Sequence, residues 1–340
     1  MELGRLKNRI LFFILAIAPV IPVSSSVIES ACYNLTFTAR PSINLSFQTN
    51  TYNPELKINT DSVVIPLKRA GRLLLIEAKV GDETGNLVFD TGANGLVLNS
   101  TYFRNHVRSG GSTPTGVTGA VGVVEQIFVN RIEFAELSYK NIMADVTNLG
   151  HIENRRGVKI LGLIGFSMMR KLEIVIDVRK NQLKLYRIDR DGNRLNSRLP
   201  EFKADHTQKI EGNTNILFLK GKIGGKTLNF CFDTGCETNV ICSDCNRSIM
   251  NTLTITGRSK LTGAGSSGSE VLFGRMNDFT IGGKQIPNMD TVITNLDALS
   301  ESYGTKIDGM LGYNFFEQGI ICINFVKRQF GIRFIKSGQK

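Results

Sequence analysis

Histidine is scarce in this chain: His106, His151 and His206 are the only three in 340 residues, and they form no ligand pattern. Cysteine is little commoner, with Cys32, Cys231, Cys236, Cys242, Cys245 and Cys322. Cys242-Ser-Asp-Cys245 has the spacing of a zinc or redox pair, but no second Cys/His pair lies near it, so it reads as a local disulfide or as free thiols. No metal and no cofactor are expected. Long apolar runs are also missing. The one candidate, Ile10 to Val23, is interrupted by Pro19 and Pro22 and falls short of the roughly 20 residues a spanning helix needs. Arg5, Lys7 and Arg9 precede it and Ser24, Ser25 and Ser26 follow, which is the layout of a signal peptide over residues 1–26. That layout predicts a periplasmic or secreted protein rather than a tethered one. Lipidation at Cys32 is not expected, because Glu29 and Ser30 are a poor lead-in.

Two further classes drop out. Lys and Arg outnumber Asp and Glu by 41 to 30, a net charge of +11, yet the basic residues are scattered and not interleaved with stacking aromatics, so no nucleic-acid partner is expected. Gly221-Lys-Ile-Gly-Gly-Lys-Thr227 has the flavour of a phosphate-binding loop, but its first glycine stands one residue too close to the Gly-Lys-Thr.

What the chain does have is 34 glycines and many short runs of Val, Ile, Thr and Phe bounded by Gly, Asn and Asp, which favour strands and tight turns and predict an all-β class. With 41% apolar residues, the length suits two lobes better than one. The sequence also runs twice. Lys79-Val-Gly81 followed by Leu87-Val-Phe-Asp-Thr-Gly92 aligns without a gap on Lys222-Ile-Gly224 followed by Phe230-Cys-Phe-Asp-Thr-Gly235. Val117-Thr-Gly-Ala120 then matches Leu261-Thr-Gly-Ala264, and Gly162-Leu-Ile-Gly-Phe166 matches Gly309-Met-Leu-Gly-Tyr313. These landmarks divide the chain into an N-terminal extension or pro-segment (27–62), a first lobe (63–190), a polar linker (191–212) and a second lobe (213–340).

A single Asp-Thr-Gly is explained by a tight turn alone. A matched pair, each behind an apolar strand with Phe before the Asp and each ahead of a Gly-apolar-apolar-Gly segment, is not. The arrangement resembles the pepsin and retropepsin superfamily of aspartic peptidases, over everything from Val63 to the C-terminus. Its likeness is nearest to retropepsin-type lobes, since Asp90-Thr-Gly-Ala93 is their spelling and Thr118 to Gly122 resembles their glycine-rich flap. The resemblance implies a bilobal acid-protease fold in which two retropepsin-like β-barrel lobes meet at a pseudo-two-fold axis within one chain, as a monomer. It implies Asp90 and Asp233 as the catalytic pair acting on a peptide or protein substrate, and Thr91, Gly92, Thr234 and Gly235 as supports of the catalytic loops. Thr118, Gly119 and Ala120, with Thr262, Gly263 and Ala264, would be flap residues over the substrate. The alternative is a catalytically silent peptide-binding protein of the same fold. Two positions depart from the pepsin pattern: Ala93 and Cys236 follow the Asp-Thr-Gly triplets where a hydroxyl residue is usual. Loss of a hydroxyl donor to each carboxylate should raise the pair's pKa values and set activity at weakly acidic to neutral pH.

Overall fold

The computed structural model describes residues 34–35, 55–56, 61–93, 95–104, 108–112, 115–116, 119–120, 124–211, 217–261 and 269–335. The proposed signal peptide lies outside the described residues, as does most of the N-terminal extension.

Three sheets account for most of the described chain: a nine-stranded sheet in each half and a six-stranded sheet built from both. The paired hairpins sit at the centre of each half. Leu73–Val80 turns at Gly81, which has φ 58°, into Glu83–Asp90. Phe218–Ile223 turns at Gly224 and Gly225, with φ 57° and 70°, into Lys226–Phe232. Two-residue turns of this kind need left-handed backbone, and glycine supplies it without a steric penalty. Burial along Glu83–Asp90 does not alternate at its end: Leu87 to Asp90 are all buried. A strand covered on both faces reads as a continuous apolar run, so the period-two pattern of a half-exposed strand is absent there.

Each Gly-apolar-apolar-Gly segment is a central strand. Ile160–Gly165 runs parallel to Glu83–Asp90, with Leu163 opposite Val88 and Gly165 opposite Asp90, and antiparallel to Leu96–Asn99 on its other side. Gly309–Leu311 repeats this between Lys226–Phe232 and Asn239–Cys242, with Met310 opposite Cys231 on one edge and Val240 on the other. The terminal glycines are required by close approach. A Cβ on Gly165 would lie 2.2 Å from the Ala93 carbonyl oxygen, and one on Gly312 would lie 2.4 Å from that of Cys236.

The halves are joined through the six-stranded sheet, ordered His206–Lys209, Gln329–Phe334, Gly319–Asn324, Leu172–Asp177, Gln182–Arg187 and Ser62–Pro66. Its middle seam is antiparallel, with Ile174 opposite Ile323 and Val175 opposite Cys322. The polar stretch between the halves therefore contributes a strand of its own, His206–Lys209, and is pinned by Arg194, whose guanidinium bonds Glu173 at 2.5 Å and lies 3.6 Å from the Tyr186 ring centroid. Its lack of apolar periodicity follows from that edge position. Ser62–Pro66 likewise crosses the 62/63 boundary set from the sequence.

One apolar core runs through both halves, from Val63 to Ile332, and a smaller one lies beneath the first half around Leu73, Val88, Val97 and Leu163. The second half is packed with phenylalanine: Phe232 meets Phe316 at 4.7 Å and Phe330 at 5.8 Å between ring centroids, directly behind Asp233. Such pairs add roughly 0.5–1.5 kcal/mol each beyond the area they bury. Cys231, Cys236, Cys242, Cys245 and Cys322 are all buried free thiols, so Cys242 and Cys245 are not joined. Among the described residues no helix is long and apolar enough to cross a membrane.

Candidate active site

The strands Glu83–Asp90 and Lys226–Phe232 end at the same place, where the two Asp-Thr-Gly loops meet across the halves. Both aspartates are 0% exposed. Within each loop the backbone turns back on its own carboxylate: Gly92 N–H donates to Asp90 Oδ1 at 2.8 Å and Ala93 N–H at 3.2 Å, and Gly235 N–H donates to Asp233 Oδ1 at 2.8 Å.

The threonines tie the loops together. Thr91 N–H donates to Thr234 Oγ1 at 2.9 Å, and Thr234 N–H donates to Thr91 Oγ1 at 2.9 Å. Each hydroxyl then donates across the interface, Thr91 Oγ1 to the Phe232 carbonyl at 3.1 Å and Thr234 Oγ1 to the Phe89 carbonyl at 2.8 Å. Four buried bonds thus form a closed ring, in which each hydroxyl both accepts and donates. Gly235 is set by the neighbouring half: a Cβ there would lie 2.7 Å from Cγ of Asp90. Any side chain at 235 would push the two loops apart.

Closeness shows in the electrostatics. Asp90 is held well above the usual carboxylate range, first by burial, then by the charge of Asp233 and a hydrogen bond between the two carboxyls. Burial likewise lifts Asp233 to about 6, against the pull of the hydrogen bond from Asp90 and of the backbone N–H groups of Gly235, Gly92 and Cys236. Two carboxylates in a dry site cannot both ionise cheaply, which is the direction in which both groups are shifted. Neither Oδ2 receives a donor from the described protein. A buried carboxylate oxygen with no donor is costly unless something else occupies it; here both such atoms belong to the same pair.

The positions after the triplets carry no hydroxyl. Ala93 contributes its backbone N–H to Asp90, and the Cys236 thiol donates to the Thr238 carbonyl at 2.8 Å rather than to a carboxylate. Of the proposed flap residues, Gly119 and Ala120 form a short strand against Thr115–Gly116, while Thr118, Thr262, Gly263 and Ala264 lie outside the described residues. No cluster of His, Cys, Asp and Glu fit to hold a metal occurs among the described residues.

Sequence reasoning missed several neighbours. Cys231 and Tyr303 are buried beside the pair, and both are held above their ordinary pKa range by burial first and then by the charges around Asp233 and Asp90. Glu237, four places after Asp233, is 2% exposed and ion-paired with Arg156 of the first half. Glu237 was open to notice as a second acid four residues after Asp233. Arg156 was not, because its partner lies 81 residues away.

Two β-barrel-like halves, each carrying an Asp-Thr-Gly loop, thus share one sheet. By sequence, residues 219–315, which include Asp233 and the segment Gly309 to Tyr313, match the family model of the aspartyl proteases. No curated protein sequence matches the chain. Among solved structures, the aspartic proteinase from Irpex lacteus aligns with 82% of this chain and 98% of its own at 14% identity and a TM-score of 0.48.

Proposed function

We propose that the chain is an aspartic endopeptidase in which Asp90 and Asp233 activate one water molecule for attack on a peptide bond. The observation that supports this reading best is geometric: two fully buried aspartates stand on loops tied to each other by the threonine bonds, so close that a Cβ on Gly235 would lie 2.7 Å from Cγ of Asp90. In the singly protonated pair, the ionised carboxylate draws a proton from the water as its oxygen attacks the carbonyl carbon. The protonated partner meanwhile hydrogen-bonds the developing oxyanion, and the proton taken from water passes to the departing amine. The threonine ring and the glycine N–H groups hold the carboxylates in place so that little reorganisation is needed on the way.

The working form exists only above the first deprotonation of the pair and below the second. With Asp233 at about 6 and Asp90 higher, activity should rise through weakly acidic pH and persist to neutrality; an optimum below about pH 3 would contradict this. One chain supplies both carboxylates, which supports a monomer, and the signal-peptide layout at residues 1–26 supports work outside the cytoplasm.

The test is hydrolysis of casein and of a peptide library between pH 3 and 8 by wild type, Asp90→Asn and Asp233→Asn. Each substitution should lower kcat by about 10⁴-fold, the upper range for loss of a positioned acid or base. Equal turnover in all three proteins would dismiss the pair as the machinery. Binding of peptides without turnover by the wild type would favour a silent peptide-binding protein.

A further inference from the structure

Beyond their glycines the two catalytic loops are held by different means. Glu237 is nearly fully buried, and a carboxylate taken so far from water needs a cation or a set of donors. The first half of the chain supplies it. Arg156 Nη2 donates to Glu237 Oε1, with the arginine side chain itself only 13% exposed. Arg156 closes the helix Gly150–Arg156, and its guanidinium lies against the turn at Gly71, where a Cβ would come within 2.6 Å of Nη1. A second arginine of the first half, Arg72, sends Nη1 to the Glu237 carbonyl, to Thr238 Oγ1 and to Asn314 Oδ1, each at 3.3 Å. Its Nη2 stands 3.5 Å from Asp290. Two guanidinium groups from one half thus grip the backbone and the acid of the other half's catalytic loop.

That loop transmits what happens at Glu237. Cys236 N–H donates to the Asp233 carbonyl at 3.2 Å, the Cys236 thiol to the Thr238 carbonyl, and Tyr313 N–H to the Cys236 carbonyl at 2.9 Å. Asp233 and Glu237 therefore bracket one short, internally bonded segment. The grip is also one-sided in sequence. The place of Glu237 in the first triplet's loop is taken by Asn94, and the place of Arg156 at the end of the matching helix Asp297–Tyr303 by Tyr303, with Leu149 and Gly157 answering Leu296 and Gly304 at the helix ends.

We infer that Arg156 and Glu237 are positioning residues for Asp233: their buried ion pair seats the second catalytic loop on the first half and so holds the two aspartates in their shared-proton contact. The inference rests on the peptidase reading above. Net stability is a poor explanation for such a pair, since desolvation of two charges offsets most of their attraction and an apolar pair of similar size often does as well. What a planar guanidinium fixes, even through the single Nη2 bond made here, is direction, and a displacement of about 1 Å at reacting groups is enough to cost roughly 100-fold in rate.

The experiment measures kcat, KM and the pH profile of kcat for wild type, Asp233→Asn, Glu237→Gln, Glu237→Asp, Arg156→Lys and the double variant Glu237→Gln/Arg156→Gln. Intact sites are counted by titration with a peptide whose scissile bond is replaced by a hydroxyl-bearing, non-cleavable isostere. Per intact site, Glu237→Gln should lose about 10- to 100-fold in kcat with KM within about threefold, and the acid limb of its profile should move by about half a pH unit or more. Arg156→Lys, which keeps the charge but not the fork, should lose less and still move the limb, and it gives the same readout should Glu237→Gln fail to fold. The double variant should be no worse than the poorer single one. A folded Glu237→Gln or Arg156→Lys with wild-type kcat per site and an unmoved profile overturns the inference alone, even where melting temperature falls. A wild type that does not hydrolyse peptides, or does so as well with Asp233→Asn, overturns the peptidase reading and this inference with it.

Discussion

The loop after Asp90 and the loop after Asp233 are alike through their glycines and diverge at the next residue. Up to that point the chemistry is reciprocal: each aspartate takes an N–H from its own glycine, and each threonine serves the other's backbone. The backbone N–H of the next residue, Ala93 or Cys236, still serves its own aspartate, but the second loop alone turns a thiol to Thr238 and hands Glu237 to Arg156. The likeness supplies what both carboxylates need, and the difference settles how each is held. Two-fold symmetry is kept where the threonines cross between the loops and relaxed beyond the glycines.

Five substitutions and two pH titrations probe that likeness and that difference. The largest effect is expected of Gly235→Ala. The added carbon would sit 2.7 Å from Cγ of Asp90, so the two loops must separate, and turnover should fall by about 10³-fold or more. Circular dichroism alongside the assay separates a displaced loop from an unfolded chain, and a folded Gly235→Ala within tenfold of wild type would refute the contact.

Next in size is the pH dependence of stability. A carboxyl whose pKa is higher in the folded chain than in the unfolded one binds its proton more tightly when folded, so it stabilises the fold at low pH and that contribution is lost as pH rises toward the folded value. For Asp233, moving from 3.8 to about 6, this is worth about 3 kcal/mol across the window. Asp90 is raised in the same direction. Melting temperature should therefore be higher near pH 4 than near pH 7, and Asp90→Asn or Asp233→Asn should exceed wild type at pH 7 while flattening the trend. Calorimetry showing a wild type that gains stability from pH 4 to 7 would argue against a dry, crowded pair.

The threonine ring should show an effect of similar size. Thr91→Ala and Thr234→Ala each strand a buried N–H and a buried carbonyl of the opposite half, at a cost of about 2–4 kcal/mol. Denaturant unfolding should place the two within about 1 kcal/mol of each other, since their bonds mirror one another. A large inequality would mean that the relaxed symmetry reaches further in than the glycines.

Much of this was legible in the residues. The runs Leu87-Val-Phe89 and Phe230-Cys-Phe232 announced buried strands, the triplets announced turns, and the Gly-apolar-apolar-Gly segments announced something packed behind them, which proved to be the central strands Ile160–Gly165 and Gly309–Leu311. What the residues did not disclose was set by contacts between distant parts of the chain. Phe89 and Phe232 read as core side chains, yet their carbonyls are also the acceptors of the threonine ring. The linker read as a tether because an edge strand such as His206–Lys209 needs no apolar period. Arg72 and Arg156 were two among 41 basic residues until folding set them beside Glu237.

The central claim is a proton shared between two buried acids, and a carbon-13 NMR titration of the aspartate side-chain carboxyls reads it directly. One deprotonation near pH 6 should be seen at both Asp90 and Asp233, with the second far above the ordinary carboxylate range, and replacement of either by Asn should shift the titration of the other. Two independent titrations near pH 4, indifferent to each other's removal, would contradict the account.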